Sequence, residues 1–130
     1  MLHVQQAATQ RLRDLYAKDP DVLAWALSDV EIRSALCRLE REGAMSLDAM
    51  REATARSESF WGAVHVISLL DAVKIRAKRL LAVHALRAAD ALQLGAALAA
   101  AHDNPVGWEF ACLDERLAAA ARREGFIVVP

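Results

Sequence analysis

The chain has 130 residues and a formal net charge of −1, and 55% of its residues are apolar although only 5% are aromatic. This length suits one domain with its own core, residues 1–130, and excludes a pair of full-sized domains. A near-neutral chain without a basic run has no general attraction for nucleic acid, so any contact with phosphates has to be local. Because no apolar run is long enough to span a bilayer and no signal-peptide pattern is present, we expect a cytoplasmic protein without a membrane partner.

Hydrophobic periodicity and turn residues predict an alternation of helices and short strands. In chain order the predicted elements are a helix over 7–16, a strand over 22–27, a helix from 28 to 43, a helix over 47–55, a strand over 64–67, helices over 69–83 and 88–102, a strand over 110–113, a helix over 115–123 and a strand over 126–129. The clearest turn signals are KDPD at 18–21 and DNPVG at 103–107. Short, fully apolar strands between helices predict an α/β domain with a small parallel sheet covered on both faces.

The two cysteines do not indicate a disulfide or a zinc site. Cys37 lies in a helical pattern and Cys112 in a strand-like run, without CxxC spacing. We therefore expect two reduced, buried thiols.

Asp90 is the most unusual polar residue, because it lies in the alanine- and leucine-rich stretch RAADALQLGAALAAA at 87–101. A carboxylate in an apolar helix has to be paired, protonated or bound to a cation, since an isolated buried charge is very costly. One explanation is purely structural, an ion pair with Arg87 at the edge of the apolar surface. Gln93, one turn further along, can face the same spot and support a polar pocket.

Glu31 and Asp114 each follow a predicted strand and open a predicted helix, which leaves two explanations for each. Glu31 occupies the last position of the capping box SDVE, where its side chain would bond the backbone N–H of Ser28. Asp114 is a plausible N-cap. The carboxyl ends of parallel strands, however, meet at one edge of a sheet, and α/β proteins bind ligands there.

If Asp90 joins these two acids from a covering helix, the three form one acidic cleft. At an effective dielectric of about 20, carboxylates about 5 Å apart repel by roughly 3 kcal/mol per pair, which favours added protons or a bound cation. Oxygen ligands at a partly hydrated site suit Mg²⁺ or Mn²⁺ rather than zinc, and such ions polarise phosphoryl oxygens and activate water. The sequence contains no hydrolase triad, histidine-based zinc motif or phosphate-binding loop.

Three stretches of the chain resemble, in order and spacing, blocks of the PIN-domain ribonucleases of the VapC toxin family. They are ALSDVEIRSALCRLEREG at 26–43, LRAADALQLGAALA at 86–99 and FACLDERLAAAARREGFIVV at 110–129. The resemblance covers nearly the whole chain. It implies a PIN-like three-layer α/β/α sandwich with a small, mostly parallel sheet. It also implies a Mg²⁺- or Mn²⁺-dependent endoribonuclease that cleaves RNA, is usually a homodimer and is inhibited by a cognate VapB-type antitoxin.

Matched position by position, the resemblance implies that Glu31, Asp90 and Asp114 are the catalytic residues and metal ligands. Ser28 lies where the family has Thr or Ser before the glutamate. Gln93 lies where many members have His. The resemblance therefore implies that Ser28 and Gln93 support the ligands rather than bind the metal.

The beginning of the chain departs from the family pattern. The family opens with a central strand that ends in a metal-binding Asp and a small hydroxyl residue, and MLHVQQAATQRLRDLY contains no such block. Asp14 and Asp19 come too late to replace that Asp. We therefore expect the first strand to be absent, residues 22–27 to form an edge open to another chain, and nuclease activity to be weak or lost. The alternative hypothesis is a non-catalytic module whose acids are caps and ion-pair partners and whose apolar helices bind a protein.

Overall fold

The computed structural model describes residues 23–129, and the predicted alternation of strands and helices is confirmed there. In chain order the elements are β1 (Leu23–Trp25), α1 (Ser28–Arg41), α2 (Leu47–Ala63), β2 (His65–Ile67), α3 (Leu70–Val83), α4 (Ala88–Ala100), β3 (Glu109–Ala111), α5 (Glu115–Glu124) and β4 (Ile127–Val129). The predicted helix over 7–16 and turn at 18–21, with Asp14, Asp19 and Val22, lie outside the described residues. None of the described helices is long and apolar enough to cross a membrane.

The strands form two parallel pairs. In the first pair β1 lies beside β2, with Ala24 opposite Val66; in the second β3 lies beside β4, with Phe110 opposite Val128. Within residues 23–129 no strand joins β1 to β3, so the two parallel pairs are separate in this part of the chain. The predicted α/β class with short parallel strands is confirmed.

The hydrophobic core is centred on the packed helices α3 and α4. Val73 and Leu80 of α3 and Leu94 of α4 are fully buried. Gly95 allows the two helices to approach closely, since a Cβ atom at this position would lie 3.0 Å from the carbonyl oxygen of Val73 and 3.2 Å from the nitrogen of Ala77. The alanine-rich composition of α4 therefore serves close helix packing.

Helix α4 also connects the two strand pairs. On one side Ala96 and Ala99 belong to a cluster with the buried Trp25 of β1. On the other side Leu94 and Leu98 belong to a second cluster, against which Phe110 of β3 packs. Asp90 lies in the first turn of this connecting helix.

Helices α1 and α2 form a hairpin in which no residue is buried. They pack against each other, and the Nη2 atom of Arg33 lies 2.9 Å from Oε1 of Glu58. Ser46 caps α2 as predicted, accepting a hydrogen bond from the nitrogen of Ala49 at 3.1 Å. The predicted end of this helix at residue 55 is wrong, because the polar run RSES that follows continues the helix on its exposed surface.

At the other end of the molecule, Glu124 joins α5 to α3. Its side chain is 12% exposed, and its two carboxylate oxygens contact Arg79 and Nε2 of His84, the latter at 2.7 Å. The pKa of Glu124 lies below its ordinary value, chiefly because Arg79 donates hydrogen bonds to the charged form. The next residue, Gly125, ends α5 in the left-handed conformation at φ +110°, which favours glycine.

We expect Glu124→Gln to reduce the free energy of unfolding at pH 7 by about 1–3 kcal/mol, the usual contribution of hydrogen bonds to a charged group. A folded-state pKa below the unfolded one stabilises the fold above the unfolded value, near 4.5, and this contribution disappears as the pH falls through the folded value. Urea unfolding between pH 7 and pH 3 should therefore show a steeper loss of stability for the wild type than for the variant. Glu52→Gln, on the exposed surface of α2, serves as the control, and parallel curves for wild type and Glu124→Gln would contradict this account.

Candidate acidic site

The three acids predicted to form the site are placed by the beginnings of three helices. Glu31 lies in the first turn of α1, which follows β1; Asp90 is in the first turn of α4; and Asp114 directly precedes α5, which follows β3. Glu31 and Asp114 thus follow the carboxyl ends of parallel strands, the usual position of ligand sites in α/β proteins. Glu31 and Asp90 are half-buried, while Asp114 is exposed.

Asp114 caps its helix, as one of its two sequence-based explanations predicts. Its Oδ1 atom accepts a hydrogen bond from the nitrogen of Leu117 at 2.9 Å, with Asp114 in an extended backbone conformation. A cap engages one carboxylate oxygen. The second oxygen is therefore available in principle for another ligand, so capping and metal binding are compatible.

The capping-box explanation of Glu31 is wrong. Helix α1 already begins at Ser28, with Leu27 as its N-cap and without a capping side chain, so Ser28 is inside the helix and the box is out of register. The Oε2 atom of Glu31 instead accepts a hydrogen bond from Nε2 of Gln93 at 2.9 Å. This bond joins α1 to α4 and directs Glu31 toward the helix that carries Asp90.

Asp90 is electrostatically coupled to both other acids. Burial is the main cause of the raised pKa of Asp90, and the charge of Asp114 raises it further. The charge of Arg87 lowers this pKa, and its effect is the smallest of the three. The pKa of Glu31 is also raised, first by burial and then by Asp90, while the hydrogen bond from Gln93 lowers it. An ion pair with Arg87 therefore does not explain Asp90: its pKa is raised overall, and the ion pairs of residues 23–129 do not include one between the two.

The carboxylate oxygens of these acids are suitable ligands for a hard cation. The acids interact in two pairs, Glu31 with Asp90 and Asp90 with Asp114. Within residues 23–129, no group of three His, Cys, Asp or Glu side chains stands ready to hold a metal ion. Mg²⁺ commonly binds through one or two carboxylates and keeps several water molecules, which fits oxygen donors coupled in pairs around Asp90. The three-ligand set remains a prediction.

Cys112 supports the turn that carries Asp114, a role that the sequence did not suggest. Its thiol donates a hydrogen bond to the backbone oxygen of Asp114 at 3.2 Å, and burial raises the pKa of this thiol. Both Cys37 and Cys112 are free and half-buried. The position of Cys112, two residues before an acid at a strand end, was the available signal.

Comparisons with known proteins give the family. No family model matches the chain. The chain is 33% identical over 108 residues to Ribonuclease VapC45 of Mycobacterium tuberculosis (strain CDC 1551 / Oshkosh), and these residues are 83% of this chain and 73% of that protein. It shows the same identity and coverage with Ribonuclease VapC49 of Mycobacterium tuberculosis (strain ATCC 25618 / H37Rv). With this identity over most of both lengths, and with the α/β fold described above, the chain belongs to the VapC family of PIN-domain ribonucleases.

Proposed function

We propose that this protein is the ribonuclease toxin of a type II toxin–antitoxin system and that it hydrolyses RNA phosphodiester bonds at an acidic Mg²⁺ or Mn²⁺ site. The observation that carries the proposal is the electrostatic coupling of Asp90 to both Glu31 and Asp114. The charge of Asp114 raises the pKa of Asp90 and the charge of Asp90 raises the pKa of Glu31, and a divalent cation relieves repulsion of this kind. The names of the VapC45 and VapC49 ribonucleases support the same reaction class.

In this proposal the ion is held by the side chains of Glu31, Asp90 and Asp114. The bound cation supplies Lewis-acid polarisation of the phosphate and a more acidic water molecule. Gln93 holds one oxygen of Glu31 and the backbone of α5 holds one oxygen of Asp114, which leaves the other oxygen of each acid for the ion.

Metal dependence is the direct test of this function. A single-stranded RNA should be cleaved in the presence of Mg²⁺ or Mn²⁺, left intact when EDTA removes the metal, and cleaved again when the ion is returned in excess. Each ion should also raise the melting temperature of the protein, because a ligand that binds only the folded state stabilises it. Cleavage that persists at full rate in EDTA would contradict the proposed site.

The partners we propose are RNA as substrate, a VapB-type antitoxin as inhibitor and a second copy of the chain in a homodimer. One observation favours the alternative of a non-catalytic interaction module, namely that the α1–α2 hairpin buries no residue and leaves large apolar side chains exposed. Surfaces of this kind often bind other proteins. In that case neither metal nor EDTA should affect RNA or the melting temperature.

A further inference from the structure

A cleft of about 430 Å³ lies along α5, next to Asp114. Its lining residues are Cys112, Leu113, Glu115, Ala118, Arg122 and Val128. Leu113 and Glu115 flank Asp114 in the chain, so one end of the cleft adjoins the proposed metal site. The volume falls in the range of sites that hold a small organic group.

The two ends of the cleft differ in charge. Glu115 and Arg122 are seven residues apart on one face of α5, which places them two turns, about 10 Å, from each other along the helix axis. Arg122 is exposed, and no carboxylate of residues 23–129 forms an ion pair with it, because its neighbour Glu124 is engaged by Arg79 and His84. The cleft therefore has an acidic end beside Asp114 and a basic end at Arg122.

Leu113 adds an apolar surface at the acidic end. Its side chain is 61% exposed although it directly precedes Asp114. An exposed aliphatic side chain in this position offers the face of a nucleobase an apolar contact, whereas a phosphate would be repelled by Glu115 and attracted by Arg122. Single-stranded RNA can thus lie along α5 with one base in contact with Leu113 and a phosphate in contact with Arg122.

We propose that this cleft binds the nucleotide that adjoins the scissile phosphate, with Arg122 contacting its phosphate and Leu113 contacting its base. The inference rests on the proposed ribonuclease function and adds a substrate subsite to it. It also accounts for RNA binding by a chain with a net charge of −1, since the phosphate contact is local. Because such contacts are to the backbone and to the face of a base, the subsite accepts any sequence.

The test compares Arg122→Ala with Arg123→Ala, which removes the same charge from the same exposed turn outside the cleft. Binding of a fluorescent single-stranded RNA is measured by anisotropy in metal-free buffer at several salt concentrations. We expect Arg122→Ala to raise Kd by roughly fivefold to tenfold and to reduce the salt slope by about 0.7, the value for one phosphate contact to a single strand. Arg123→Ala should change Kd by less than about twofold. In cleavage assays Arg122→Ala should raise KM and leave kcat unchanged.

Equal effects of the two variants, or a failure of the wild type to bind RNA at all, would overturn the subsite. The proposed function fails differently, through cleavage that survives in EDTA. If the wild type cleaves RNA only with metal while Arg122→Ala behaves like Arg123→Ala, the ribonuclease site stands and the cleft inference falls. If cleavage is too slow to measure, the binding comparison still decides whether the cleft holds RNA.

Discussion

Asp90→Asn should abolish RNA cleavage and at the same time stabilise the fold. Asp90 is coupled to both Glu31 and Asp114, so in the proposed site the loss of its charge should weaken cation binding. We expect activity to fall at least about 100-fold, beyond the 10–100-fold typical of residues that only support metal ligands. The raised pKa means that the charged form of Asp90 opposes folding. Removal of that charge should therefore raise the free energy of unfolding in metal-free buffer, by a small amount because solvent screens the charge at this half-buried position.

The pH dependence of this gain has a definite sign. A folded-state pKa above the unfolded one imposes a penalty that is complete above the folded value and disappears as the pH falls below the unfolded value. The stability advantage of Asp90→Asn should thus be largest at neutral pH and vanish in acid. Chemical unfolding with EDTA at pH 7 and pH 3.5 measures it.

Asp71→Asn is the matched control for Asp90→Asn. Asp71 also lies in the first turn of a helix, α3, but it is exposed and is not among the acids coupled to Asp90. This variant should keep full cleavage and should not gain stability, because an acid near a helix N-terminus is favourable there. Unchanged cleavage by Asp90→Asn, or equal loss in both variants, would refute the assignment of Asp90.

Gly95→Ala should destabilise the protein even though alanine is the better helix former. The added Cβ atom would lie 3.0 Å from the oxygen of Val73 and 3.2 Å from the nitrogen of Ala77, and both are backbone atoms that cannot move aside alone. Helices α3 and α4 would have to separate. We expect a loss of about 1–3 kcal/mol, typical of an overpacked core, and a larger loss for Gly95→Val.

Gly62→Ala provides the opposite expectation within the same chain. Gly62 lies in the last turn of α2, and an added Cβ atom there would meet nothing within 4 Å. Its replacement should stabilise the fold by a few tenths of a kcal/mol, up to about 1 kcal/mol, through helix propensity alone. Thermal unfolding of the two variants should therefore shift in opposite directions, and a stabilised Gly95→Ala would show that the helices are not in contact as described.

The order and type of the helices and strands were predictable from the sequence, because hydrophobic periodicity and capping residues act locally. Ser46 and Asp114 cap helices as expected, and Gly125 ends the helix before it. The polar run after residue 55 was misleading because this part of the helix is exposed on most sides. Such a helix lacks the apolar periodicity from which its continuation could be predicted. The pairing of strands was not predictable locally, since β1 and β2 meet across forty residues of helix and turn.

The acids of the site were predictable as candidates and Gln93 as a supporting residue, but the pairing of Gln93 with Glu31 was not. A capping box and a metal ligand place Glu31 in nearly the same sequence context, and the capping box is excluded only by the start of α1 at Ser28, which leaves the role of metal ligand as a prediction. The hydrogen bond between Gln93 and Glu31 spans 62 positions of the chain. Likewise, burial and Asp114 affect the pKa of Asp90 more than Arg87 does. This order depends on distances in space that the spacing of residues along the sequence does not give.

The α1–α2 hairpin has a consequence for how the protein loses activity. Asp90 and Asp114 are attached to helices with buried residues, whereas Glu31 lies on a helix that has none. Segments with few buried contacts open at a lower free energy than the core around them. In the proposed site we therefore expect heat to separate Glu31 from Asp90 and Asp114 while α3, α4 and α5 stay folded, so that activity is lost before global unfolding. A partner that binds the hairpin would stabilise its folded form. The temperature at which activity is lost would then approach the temperature of global unfolding.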